Sequence, residues 1–178
     1  MGHLTNLQNL LQSGPDRYSP LSGKELVEQK VARWLCMGGM YPEGKEANFY
    51  RPDPLSTVYC LQEWTKPVTF VGWEIGNEVI TGGQYLKDKL SPSSPVYRAY
   101  ELYNNFKGRP SWDQLAVYLL LDDWTQYFAT VSDGYCHVFE DGSNEWRTGE
   151  KKNHEYLVFK PGADREELAR KMDDMVRK

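Results

Sequence analysis

The sequence predicts an α/β protein: an open, mostly parallel sheet flanked by helices, with a small antiparallel hairpin near its C-terminal end. Three observations lead there. Short apolar runs alternate with helix-spaced segments through the first two thirds of the chain. The run 31–36 ends in Gly38-Gly39 and opens into a polar loop, as a strand of an open α/β sheet does where it meets a ligand. The last third changes to strand-like stretches on either side of Asp141-Gly142, a hairpin-type turn signal.

The elements follow in order. Residues 4–12 carry leucines at 4, 7, 10 and 11, a helical spacing that Ser13-Gly14-Pro15 stops. Residues 24–31 form a short helix that leads into a strand at 32–36. Residues 53–65 read as a helix with Pro54 in its first turn, where the missing N–H costs nothing. The β-branched run 67–73 is a strand. Both strands read as buried on two faces, which leaves an exposed sheet edge through which the chain would self-associate. Residues 94–106 form a helix with Pro95 at its start and Gly108 closing it, and 111–122 form another. Strands are expected at 128–131, 135–139 and 156–159, and 164–176 is an amphipathic closing helix.

With 178 residues, 40% hydrophobic and 26% charged, the chain suits one globular domain, 1–178. Its net charge of −4 argues against nucleic acid as a partner, and the basic residues at 151–152 and 170–178 are diluted by acidic neighbours. No apolar run nears 20 residues, so no membrane span is expected. Cys36, Cys60 and Cys136 are odd in number and widely spaced, which reads as free thiols of a reducing, cytoplasmic compartment.

The richest segment is 37–54, MGGMYPEGKEANFYRPDP. Glu46 can accept hydrogen bonds from hydroxyls, and Asn48 can both donate and accept. That pair suits a polyol better than an apolar ligand, against the plainer reading of a solvated polar loop. Ser111-Trp112-Asp113-Gln114 reads as a capping box, with Asp113 placed to complement the helix dipole. Thr5 reads as a helix start, an N-cap together with Asn6. Tyr100 and Tyr103 share a helix face with packing or ligand-stacking potential. Glu74-Ile75-Gly76-Asn77 follows a strand and could touch a ligand, and Gly82-Gly83 reads as a flexible loop. His137 and His154 read as structural or exposed.

Segment 37–54 resembles the strand-and-loop segment of the inosine–uridine preferring nucleoside hydrolases. GHLTNLQNLL (residues 2–11) resembles that family's Gly-Pro-Leu-Thr-Asn loop-helix, and GRPSWDQLAVYLL (residues 108–120) its His-Asp or Trp-Asp segment. Weaker similarity runs through VGWEIGNEVITGG and DGSNEW…HEYLVF. The family's opening strand and its Asp-x-Asp-x-x-x-Asp-Asp metal loop have no counterpart, so the chain reads as the later part of such a domain.

The resemblance implies a nucleoside-hydrolase-type sheet and hydrolysis of the N-glycosidic bond of a nucleoside or related riboside. It implies a calcium ion held by Asp113 and the Thr5 carbonyl and ribose binding by Glu46 and Asn48; Met37 would then pack under the sugar, or in the core as a strand-end Met does, and Tyr100 with Tyr103 would fold over a base or pack. His3 replaces the family's usual proline. Trp112 stands where many members carry a proton-donating histidine, and tryptophan cannot donate a proton at neutral pH. Loss of a general acid is worth about 10² to 10⁴ in rate, so this chain alone is expected to hydrolyse poorly. The other classes in play are a non-catalytic ligand-binding remnant of the same fold and a carbohydrate-binding module that stacks sugars on some of its 6 Trp and 12 Tyr.

Overall fold

A computed structural model describes residues 3–121, 123–150 and 152–176. Gly2, at the start of the GHLTN motif, Asp122, at the expected end of a helix, and the basic Lys151, Arg177 and Lys178 lie outside the described residues. The architecture is α/β, with a mixed sheet of mostly parallel strands flanked by helices. The chain divides into two compact units, 1–73 with 130–157, and 74–129 with 158–178.

In the first unit, α1 (Thr5–Gln12) and α2 (Gly23–Lys30) contact one another. Ser22 caps α2 in a reciprocal box with Glu25. β1 (Trp34–Met37) pairs in parallel with β3 (Val68–Val71), from Trp34 opposite Val68 to Met37 opposite Val71. β3 pairs in parallel with β9 (His154–Phe159), with Phe70 opposite Tyr156. The order of this four-stranded sheet is β1-β3-β9-β6, where β6 is Phe128–Val131. The boundary between the units runs through β6 and β9.

β3 is buried along its whole length, as an inner parallel strand must be. β1 departs from the expectation. It begins two residues later than predicted, and Trp34 and Leu35 are only half-buried. The reason is position: β1 is the edge strand of the sheet among the described residues.

A second sheet has the order β2-β8-β7, all antiparallel: β2 is Glu43–Gly44, β8 Asn144–Thr148 and β7 Gly134–Val138. β7 and β8 meet through Asp141-Gly142, where Gly142 adopts φ +78° with Tyr50 and the Phe49 carbonyl close behind it. One apolar core of this unit gathers Leu11, Val27, Phe49, Cys60, Val68 and Phe70 with their neighbours. α4 (Pro54–Glu63) is capped by the Asp53 side chain on the Leu55 amide and contacts α1 and β7.

In the second unit, α5 (Trp73–Asn77) begins at the unit boundary and is followed by β4 (Ile80–Thr81), α6 (Gln84–Lys89) and α7 (Pro95–Asn104). α7 stops because Asn105 turns left-handed, φ 53°, a conformation that asparagine tolerates. β5 (Arg109–Pro110) pairs antiparallel with β4. α8 (Trp112–Tyr118) is shorter than predicted, because the amides of Leu120 and Leu121 bond three residues back and tighten the chain out of the α-helix. α9 (Arg165–Val176) buries Leu168, Ala169 and Met172 and contacts β4 and α6.

Candidate functional site

The loop after β1 is built around one carboxylate. Glu46 is 5% exposed, and its Oε2 accepts from the amides of Gly39 (3.2 Å) and Asn48 (2.9 Å). The second bond makes Glu46 the N-cap of α3 (Ala47–Tyr50), a single turn that apolar periodicity is too short to reveal. The first ties that turn to the carboxyl end of β1. Glu46 is therefore a buried, hydrogen-bonded carboxyl group rather than part of a solvated loop.

Asn48 follows it closely. Its Nδ2 donates to the Met37 carbonyl (3.4 Å) and lies 3.0 Å from the Met37 Sδ. Its side-chain oxygen has no hydrogen bond among the described residues, which leaves an acceptor at this strand end. Met37 itself is buried. A cavity of about 50 Å3 beside Asn48 is lined by Leu4, Leu35, Met37 and Phe49 among others. That space suits water, so a pentose would have to lie across its mouth.

The loop is held from behind by Asn144, which is 2% exposed. Its Oδ1 accepts from the Met40 amide at 3.0 Å and its Nδ2 donates to the Met40 carbonyl at 2.8 Å. Trp73 N–H donates to the Gly39 carbonyl at 2.9 Å, so backbone from the end of β3 also fixes the Gly38-Gly39 turn.

The histidines lie apart from this chemistry. His154 is buried against the edge of Phe70, and its Nδ1 accepts from the Cys136 amide at 3.3 Å. Burial holds it down to about 4, so it stays neutral at physiological pH. His137 is half-buried with its ring near Tyr135 and Phe139. Thiol chemistry is excluded on the same physical ground. Burial raises Cys60 and Cys136 to about 12, and Cys36 is raised well above its usual value, so none presents a thiolate.

Thr5 belongs to the first unit. It is the first residue of α1 rather than its cap, since Leu4 holds the cap position and Thr5 Oγ1 is buried without a hydrogen bond. A carbonyl at that position is spent inside the helix, and the groups left free at a helix start are N–H donors, which repel a cation.

Asp113, Trp112 and Tyr100 belong to the second unit. Ser111 precedes α8, but its hydroxyl makes no capping bond. It pairs instead with Thr81 Oγ1 at 2.6 Å, both side chains buried, while Gln114 Nε2 donates to Tyr100 OH at 3.3 Å. The expected capping box is therefore not formed, because tertiary partners take both of its side chains.

Asp113 is exposed at the start of α8 and lines an apolar groove with Val117, Leu120, Leu121, Met172 and Met175. Calcium asks for about six to eight oxygens. No group of three or more Asp, Glu, His or Cys able to hold a metal exists among the described residues. The groove adds one further carboxylate, Asp173, already bonded to the Gly82 amide, and is otherwise mostly apolar, so the described residues fall short of what calcium needs.

Trp112 lies on the backbone of Gly76, where an added Cβ would come 2.2 Å from its ring. Arg109 sits over that ring at 5.6 Å. Tyr100 lies on Gly82 in the same way, with 1.9 Å to an added Cβ. Gly82 lies in the bend before α6. It holds φ +73° and its amide donates to Asp173 at 3.0 Å.

Asn144 and Asp173 were missed in the sequence. Asn144 carries no signal there, since its partner lies 104 residues away. Asp173 does: it falls four residues after Ala169, on the apolar stripe of an amphipathic helix. No protein-family model matches this sequence, and no curated protein sequence matches it.

Proposed function

We propose that the chain is a nucleoside-hydrolase-type protein whose sheet belongs to that fold type and whose first unit holds the ribosyl part of a nucleoside or related riboside. The observation that carries this reading is the fixed carboxylate of Glu46 beside Asn48 at the carboxyl end of β1. Ligands of open α/β sheets bind at the carboxyl ends of the strands. An amide with an unbonded oxygen suits a sugar hydroxyl. A buried carboxylate nearby favours a sugar that becomes cationic as its N-glycosidic bond breaks.

Trp112 packs on Gly76 and donates no proton, and the surroundings of Asp113 do not fit calcium. Binding therefore outweighs turnover. A non-catalytic ribosyl-binding protein of the same fold is the second reading, and the packed Trp112 favours it.

Binding is tested by two-dimensional amide NMR with inosine, uridine and ribose. The amides of Gly39 and Asn48 should shift, and Asn48→Ala, which leaves the Glu46 cap in place, should weaken the effect while the spectrum stays dispersed. Shifts that are absent, or that persist unchanged in Asn48→Ala, would refute the ribosyl reading. A ribose-release assay with inosine and a p-nitrophenyl riboside then separates the two versions, since the second substrate needs no proton for its leaving group.

A further inference from the structure

The second unit holds a groove of about 630 Å3, within the range of small-ligand sites. Its walls are α8 with the residues just after it, Thr81 of β4 and the last turns of α9. Val117 is 64% exposed, Leu120 63% and Leu121 41%, facing the same space as Met172, Met175 and Val176. Apolar side chains gathered in this way mark a binding surface more often than a bare face.

One polar group sits oddly in it. Asp173 lines the groove yet is 4% exposed. One carboxylate oxygen accepts from the Gly82 amide, and the other has no hydrogen bond among the described residues. Its charged neighbour is Asp174, of the same sign. Among the described residues the lining contains no lysine, arginine or histidine, and its other carboxylate is Asp113. A buried carboxylate is ordinarily paired with a cation.

We propose that this groove binds a small apolar amine, its hydrocarbon part along Val117, Leu120 and Met175 and its ammonium group against Asp173. A neutral ligand would leave the carboxylate unpaired, and an anion would be repelled by both aspartates. An ammonium with an apolar tail satisfies both features at once.

The test uses octylammonium, 1-octanol and octanoate below their aggregation limits, with calorimetry and amide NMR on the full chain. Octylammonium should bind at one site, shift the amides of Thr81, Val117 and Met175, and exceed octanol by about tenfold or more, the scale of a charge-assisted hydrogen bond. Octanoate should not bind. Asp173→Asn should remove the preference for the amine over the alcohol. Leu120→Arg, a change at an exposed position that leaves the interior alone, should abolish amine binding by placing a cation in the groove. Equal binding of amine and alcohol, a preference that survives Asp173→Asn, binding unaffected by Leu120→Arg, or a concentration-dependent dimer that hides the groove would each overturn the proposal.

Discussion

Asn144 holds Met40 as a second strand would, accepting from its amide and donating to its carbonyl at 3.0 and 2.8 Å. This one side chain pairs the backbone groups of a half-buried loop residue. Asn144→Ala leaves the part-buried N–H and C=O of Met40 without this partner, each costing up to about 1 to 3 kcal/mol. We expect a loss of about 3 kcal/mol in urea denaturation. A loss below about 0.5 kcal/mol, the scale of an ordinary surface substitution, would mean that water replaces the pair.

Gly82 admits no side chain. Its φ of +73° disfavours a Cβ, and that atom would fall 1.9 Å from the Tyr100 ring. Backbone strain and overpacking together should make Gly82→Ala destabilising by about 3 kcal/mol. Removing the ring relieves only the clash, so Gly82→Ala combined with Tyr100→Ala should cost less than the two single changes summed. Strict additivity in thermal melts would show that Tyr100 does not rest on Gly82.

His154 should make the protein acid-sensitive. Burial holds it down to about 4, against 6.5 when unperturbed. Between those values the unfolded chain takes up a proton that the folded chain refuses. Its contribution is therefore complete above about pH 6.5 and falls as pH drops towards 4, by on the order of 3 kcal/mol in all. His154→Gln, which keeps an acceptor for the Cys136 amide, should flatten that slope. The same slope in both proteins would place its origin elsewhere.

Asp173 should act in the opposite sense. Burial raises its carboxyl to about 6 from 3.8, opposed by the Gly82 amide and reinforced by Asp174. The folded state then holds the proton more tightly than the unfolded one. Its contribution is full below about pH 3.8 and is lost as pH rises through 6. Asp173→Asn should therefore stabilise the protein by about 2 to 3 kcal/mol near pH 8 and by little near pH 4. No pH dependence in the difference between the two proteins would show that Asp173 titrates normally.

Calcium should bind weakly. The groove around Asp113 adds only the Asp173 carboxylate, already held by the Gly82 amide, to mostly apolar walls, and the Thr5 carbonyl belongs to a helix. Calorimetry should show no saturable site tighter than about millimolar. Tight stoichiometric binding that disappears in Asp113→Ala would contradict this account.

The longer elements were legible in the sequence because two physical signals agreed. α1 shows leucine spacing followed by Ser13-Gly14-Pro15, and α4 shows an Asp53 cap followed by Pro54. β3 shows a β-branched and aromatic run, Val68 to Val71, with Thr69 as its one polar member. α3, α5 and α6 span 4 to 6 residues, too few for periodicity to register, and glutamate is not a favoured cap from which to guess α3. β2, β4 and β5 are two residues each and exist only through their partners. At the site, the types of Glu46 and Asn48 could be read, but not that Glu46 is buried on two amides. Ser111 misled because its natural local bond lost to Thr81, a residue 30 positions away.

The three cysteines have a practical consequence. All lie buried in the first unit, and the second contains none. An alkylating reagent can thus reach a thiol only when that unit opens. Labelling rates under native conditions would time the opening of one unit with no signal from the other, and partial modification at Cys36, Cys60 and Cys136 would show which part of that interior loosens first. The chain carries its own clock for half of its fold.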